Sequence, residues 1–328
     1  MQQEGGDGMH IIEAHNLTKK FGDFHAVKGI DFFVEQGEVF GFLGPNGAGK
    51  TTTINMLTGL ARPSGGTLSI AGMDGIKEIK KVQGLIGIVP DESNLYDDLS
   101  GFGNLVFCAS LYGMRKQQRE KRARELLAQF ALDDTGDRPF KAFSKGMKRK
   151  LTIAAGIIHE PKILFLDEPT TGIDVESARQ IRQLIASLHA GGTTIFLTTH
   201  YIEDAERLCD RIGFIVGGNI VNISTVRELI MEAQKEHVMQ FSMDEAPPTL
   251  KVDLLNAFPD VSNALQTDHT ITIQSKDPLE LMPFMEFFSA RQIKVYEARL
   301  VHPSLEDVFV KVTGIELARL KKEKEGRK

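Results

Sequence analysis

GEVFGFLGPNGAGKTT, residues 37–52, is the stretch whose reading decides the fold. Its first half, GEVFGFLG (37–44), is a continuous apolar run that ends in glycine. Strands buried on both faces read this way, and such strands belong to parallel sheets covered by helices. Its second half fits G-x-x-x-x-G-K-[ST] from Gly44 through Thr51, and a helical run, TTTINMLTGL (51–60), follows at once. Gly44, Gly47 and Gly49 let backbone N–H groups close around phosphate oxygens. Lys50 can then reach the β- and γ-phosphates of a nucleotide, and the Thr51 hydroxyl can hold Mg²⁺. A glycine-rich turn with a purely structural role would explain neither Lys50 nor Thr51.

Two further apolar runs, KILFLD (162–167) and TTIFLTTH (193–200), extend the same pattern. Between them Val175, Ala178, Ile181, Ile185 and Leu188 recur at three- and four-residue steps, which predicts a helix connecting two strands. Ligands of such sheets bind at the carboxyl ends of the strands, where Asp167, Glu168 and His200 stand. Asp167 can hold Mg²⁺ directly or through water, and Glu168 is placed to polarise an attacking water. A lone histidine at a strand end is more often structural; here the parallel-sheet argument draws His200 towards the site. FSKGMKRKLTIAAG (143–156) adds a puzzle. Ser144 can cap a helix and Gly146 removes bulk from its first turn. Lys145, Lys148, Arg149 and Lys150 crowd positive charge where helix N-termini prefer negative charge. This predicts a second anion site, far along the chain from the first.

The remainder reads as follows. Residues 11–35 alternate short apolar stretches with turns, as an antiparallel β layer does. Residues 84–160 are expected to form a mostly helical insertion, and RIGFIVGGNIV (211–221) a hairpin turning at Gly217–Gly218–Asn219. A charged helix, STVRELIMEAQKEH, leads out of a first domain expected over residues 10–235. The order β-α-β-β-α-β follows, with helices near 249–257 and 278–289, and predicts a small α+β, ferredoxin-like domain over 236–313. Ser304 with Asp307 forms a capping box for a last helix. Residues 1–9 read as a leader and 314–328 as a charged tail.

With 328 residues, 41% apolar and 25% charged, the chain has room for two globular domains. A net charge of −5 gives no case for nucleic acid. The basic runs 115–125 and 319–328 read as solvated faces, or else as contacts with anionic lipid head groups. Cys108 and Cys209 are isolated, which argues against structural zinc, and nothing suggests an oxidising compartment. No apolar run is long enough to span a bilayer, so any membrane role is expected to come through a partner.

Taken in order, GPNGAGKTT, the helical insertion, FSKGM, ILFLDEP, TTGID and TTH resemble the motifs of the ATP-binding subunits of ABC transporters, over residues 10–222. The resemblance implies an α/β P-loop ATPase fold: a parallel core sheet, an antiparallel β layer and a helical insertion. Two copies, identical or not, would sandwich two ATP molecules head to tail. ATP would bind GPNGAGKTT, with Pro45, Asn46, Ala48 and Thr52 among its contacts, and Phe21 would stack on adenine. Glu168 would be the general base, His200 would contact the γ-phosphate, and Asp174 would belong to a loop coupling the two sites. Ser144, Lys145, Gly146 and Met147 would reach ATP on the opposite copy, which accounts for the second anion site. Two departures stand out. Lys145 and Met147 replace a glycine and a glutamine of the family's usual signature, and Asp91 stands where the family usually has a glutamine that touches Mg²⁺. Finally, the signature Ser-x-Gly-Met-x-x-x-Leu and the ending PSLEDVFVKVTG resemble ABC-2 type exporters. That implies a separate membrane permease, docked on residues 84–140 at the cytoplasmic face of the membrane. The alternative is a non-transport ABC ATPase within a soluble machine.

Overall fold

A computed structural model describes residues 10–233, 237–301 and 304–314. The expected leader 1–9 and nearly all of the expected charged tail lie outside the described residues. The chain divides into two compact units at Thr225/Val226.

The first unit opens with two long strands, β1 (His10–Phe21) and β2 (Phe24–Glu35), paired antiparallel. The apolar run becomes β3 (Val39–Leu43), buried at every residue, and the glycine-rich loop leads into α1 (Lys50–Leu57). β4 (Gly65–Ile70) and β5 (Met73–Asp74) complete a four-stranded layer in the order β2-β1-β4-β5. A short α2 (Ile79–Gln83) precedes β6 (Ile86–Val89). β6 pairs parallel with β7 (Ile163–Asp167), so the helical segment proper begins after residue 89. It contains α3 (Gly101–Leu111), α4 (Lys116–Gln129) and α5 (Lys145–Gly156).

After β7 the chain forms α6 (Val175–Ala190), β8 (Thr194–Thr199) and α7 (Ile202–Leu208). The unit ends in the hairpin β9 (Arg211–Val216) and β10 (Asn219–Thr225). On α6, Ala178, Ile181 and Ile185 are buried, whereas Val175 is 84% exposed. It is the first helical residue after the Asp174 cap, one turn ahead of the stripe that packs. The core sheet runs β10-β9-β3-β8-β7-β6, parallel except for the last hairpin strand. Phe32, Phe40, Phe42, Phe165 and Phe196 interlock beneath it, with neighbouring ring centroids 5.1–5.9 Å apart. Such aromatic pairs each add about 0.5–1.5 kcal/mol beyond their burial. In register, Leu43 lies beside Thr199 and Asp167 beside Thr198. The ends of β3, β8 and β7 therefore open on one place.

The second unit begins with α8 (Val226–Ala233) and continues through β11 (His237–Met243), α9 (Leu250–Ala257), β12 (Val261–Gln266), β13 (Thr270–Ser275), α10 (Leu281–Ala290) and β14 (Val295–Val301). Its sheet has the order β12-β13-β11-β14, antiparallel throughout. This is the ferredoxin-like arrangement read from the element order. Phe241, Phe284 and Phe288 fill its core. α11 (Leu305–Thr313) starts with the Ser304–Asp307 capping box and packs on α8. Among the described residues, no helix is long and apolar enough to cross a membrane.

Candidate nucleotide-binding site

The loop between β3 and α1 needs its glycines for two different reasons. A Cβ on Gly44 would lie 2.1 Å from the Ile215 carbonyl oxygen, so that position is closed to any side chain. Gly49 has φ +107°, a conformation that side chains oppose, and it turns the chain into the helix. The first residue beyond that turn is Lys50, 5% exposed. Its Nζ folds back over the loop, donating to the carbonyls of Gly44 (2.7 Å) and Pro45 (3.2 Å), and lies 3.1 Å from Glu168 Oε1.

Glu168 follows the end of β7 with φ +49°, a left-handed conformation rare for a residue with a side chain. Its N–H donates to the Thr198 carbonyl and hydroxyl oxygens, at 3.1 and 3.2 Å. Its Oε2 accepts from His200 Nδ1 at 2.7 Å and from the Thr171 hydroxyl at 3.0 Å. Burial pushes this carboxyl upwards, but the His200 hydrogen bond and the Lys50 charge outweigh it and hold the group at about 2. Glu168 is thus ionised at neutral pH. Asp167, one residue earlier, is buried, and its Oδ1 accepts a hydrogen bond from the Thr198 hydroxyl.

Lys50, Glu168 and His200 meet in a cleft of about 280 Å³, whose lining does not include Asp167. The structure brings Asn46, Gly47, Gly49, Lys50, Thr51 and Thr52 together there with Asp91, Glu168 and His200. Gly44, Pro45 and Ala48 shape the loop behind them. Phe24, Ala26 and Thr171 also line the cleft, and none of the three was foreseen. Phe24 faces Phe21 across the tip of the β1–β2 hairpin. The signal for it was present in FGDF, two aromatics flanking a two-residue turn. Phe21 itself lies outside the lining, 54% exposed, with Lys19 Nζ 4.8 Å from its ring centroid.

Ser144, Lys145, Gly146, Met147 and Asp174 stand apart from this cleft. Ser144 caps α5, its hydroxyl accepting from the Met147 N–H at 3.2 Å. Asp174 caps α6 by accepting from the Ser177 N–H (2.9 Å) and hydroxyl (2.6 Å), and these bonds lower its pKa. The two helix starts touch through Ser177: a Cβ on Gly146 would lie 2.2 Å from Ser177 Oγ. Gly146 therefore has a packing reason to be glycine. The expected crowd of positive charge is also thinner than it reads. Lys148 turns to Asp97 (3.6 Å) and to the face of Phe140. Arg149 points inward and is 3% exposed, because it falls on the same helical stripe as Gly146 and Ile153.

A domain that splits a nucleoside triphosphate must cradle phosphates and hold an ionised carboxylate beside them. The convergence of β3, β7 and β8 on one cleft meets both needs, and defines a P-loop ATPase. Residues 27–171 match the family model described as ABC transporter. The chain is 35% identical to the linearmycin resistance ATP-binding protein of Bacillus subtilis, over 93% of this chain and 98% of that one. It is 37% identical to the daunorubicin/doxorubicin resistance ATP-binding protein of Streptomyces peucetius, over 92% of each. Among solved structures, an ATP-binding cassette dimer in a post-hydrolysis state with ADP and Pi superposes with a TM-score of 0.61 at 27% identity, covering 66% of this chain and 99% of that one. The chain belongs to the ATP-binding subunits of the ABC transporters, and within them it matches the ABC-2 exporter subfamily.

Proposed function

We propose that the chain powers export through a separate membrane permease, by ATP-driven closure of two ATPase subunits. One observation carries this reading: the exposed start of α5 lies outside the cleft of its own chain. Ser144 and Lys145 are then available to a second copy, or to a related subunit. That partner would present them to ATP held here, and receive the same service in return. ATP binds the closed pair better than the open one, so binding drives closure and hydrolysis releases it. The drug-resistance relatives support outward transport, and the permease would hold the protein at the cytoplasmic face of the membrane, docked on the helical insertion. The second unit would be an accessory to this engine.

Within the cleft, Lys50 exchanges its contacts with Gly44, Pro45 and Glu168 for the β- and γ-phosphates. Glu168 stays ionised through His200 and Thr171, and as general base takes a proton from the attacking water. His200 holds that carboxylate and faces the γ-phosphate, while Phe21 and Phe24 offer rings to the adenine. Asp174, bonded to the Ser177 that meets the start of α5, would carry the state of one site to the other. Oxygen donors suit Mg²⁺, which keeps most of its shell as water and phosphate. No group of three or more His, Cys, Asp or Glu among the described residues forms a metal site by itself. Thr51 and Asp167 would hold the ion, with Asp91 beside them, and the ion would neutralise charge on the phosphates. The test is Glu168→Gln. It should keep ATP binding, lower turnover at least about a hundredfold, and yield an ATP-dependent dimer by light scattering. Turnover at the wild-type rate refutes the base assignment.

A further inference from the structure

Arg149 lies in the basic run at the start of α5, where the functional reading gives it no role, yet all five of its N–H donors are bonded. A guanidinium has five N–H donors in a fixed planar fork. Here each finds a different backbone carbonyl. Nε donates to Pro169 at 2.8 Å. One terminal nitrogen donates to Pro90 and, at 3.0 Å, to Asp91. The other donates to Asp167 at 2.7 Å and Glu168 at 2.8 Å. Burial depresses the group to about 10, with the charges of Asp91, Asp167 and Glu168 opposing that fall, so it remains cationic at neutral pH.

Three of the five acceptors are consecutive, Asp167, Glu168 and Pro169. Peptide carbonyls that converge on one point repel each other unless a cation sits there. The left-handed turn at Glu168 is what brings them round, and such a conformation persists only where its surroundings hold it. The other two acceptors belong to the turn after β6 that carries Asp91 into the cleft. One side chain thus clamps the two segments that present the carboxylates, and it does so from the second turn of α5.

We propose that Arg149 is a positioning residue for hydrolysis, which sets the left-handed turn of Glu168 and the turn of Asp91 so that both carboxylates face the nucleotide. This rests on the reading of Glu168 as the base. Lysine would keep the charge but has three donors at a single point, so at least two carbonyls would lose their partner.

The test is Arg149→Lys, with Glu168→Gln measured alongside, in the full-length protein. Turnover is counted per bound fluorescent ATP analogue, so that any unfolded fraction drops out. The expected result is a fall in kcat of at least about tenfold with KM for ATP changed by less than about threefold. A purely structural residue would reduce the number of binding-competent molecules and leave kcat per site unchanged. Arg149→Gln, which removes the buried charge as well as the fork, is measured on the same scale should the lysine variant not fold. A folded variant of either kind with kcat per site within twofold of wild type overturns the positioning role. If that occurs while Glu168→Gln is inactive, the base reading stands and only the clamp falls. An active Glu168→Gln removes the base reading itself.

Discussion

Replacing His200 by alanine should make the acid limb of ATP turnover visible. In the folded protein Glu168 titrates at about 2 rather than 4.5. That difference, 4.5 − 2 or about 2.5 units, corresponds to about 3 kcal/mol in favour of the ionised form at this 7% exposed site. Because the folded pKa is depressed, the stabilisation is fully present above about pH 4.5 and is lost as the pH falls towards about 2. Burial acts in the other direction and is the largest single influence, held in check first by the His200 hydrogen bond and then by Lys50. Without the imidazole, Lys50 and the Thr171 hydroxyl are left to oppose burial, and the carboxyl should titrate roughly one to two units higher. The measurement is kcat/KM for ATP against pH, which reports groups of the free enzyme. Wild type should show no acid limb from this group before it unfolds, whereas H200A should show one between about pH 3 and 5. Loss of a phosphate contact would lower the whole profile without reshaping it. A profile merely scaled down, parallel to that of wild type, therefore refutes the reasoning.

Lys50→Ala should weaken ATP binding at least about tenfold, or about 1.4 kcal/mol, by equilibrium titration; unchanged affinity counts against the cradle. Gly146→Ala places a methyl 2.2 Å from Ser177 Oγ and 2.7 Å from its Cβ, which should destabilise the fold by about 1–3 kcal/mol. Ser177→Gly should recover most of that loss in the double variant by calorimetry, and strictly additive melting shifts would rule the contact out as the cause.

The core sheet was readable because its strands are buried on both faces, so VFGFL, ILFLD and TIFLTT carry no alternation to confuse with a surface strand. The phosphate loop was readable because backbone shape and chemistry both restrict it, at Gly49 and Lys50. Arg149 was not, since in a basic run at a helix start it reads as part of an anion site. Only its spacing from Gly146 and Ile153, three and four residues away on the buried face, marked it as interior. Phe24 escaped because the role of an aromatic at a hairpin tip depends on which loop lies opposite, a matter of tertiary packing. The second unit's element order was legible. Its strand order becomes plain only with the pairing of β11 to both β13 and β14.

The left-handed backbone at Glu168 sets local comfort against chemistry. Glycine or asparagine would suit that backbone better, and neither could serve as the proposed base. A lineage released from the need to hydrolyse ATP would find relief at this position early, since active sites commonly retain strain that stability alone would remove. Among paralogues of this chain, glycine or asparagine at 168 beside an intact phosphate loop would mark subunits that bind nucleotide and no longer turn it over. Their ATPase function would have been lost by relaxation of the backbone, with the loop left undamaged.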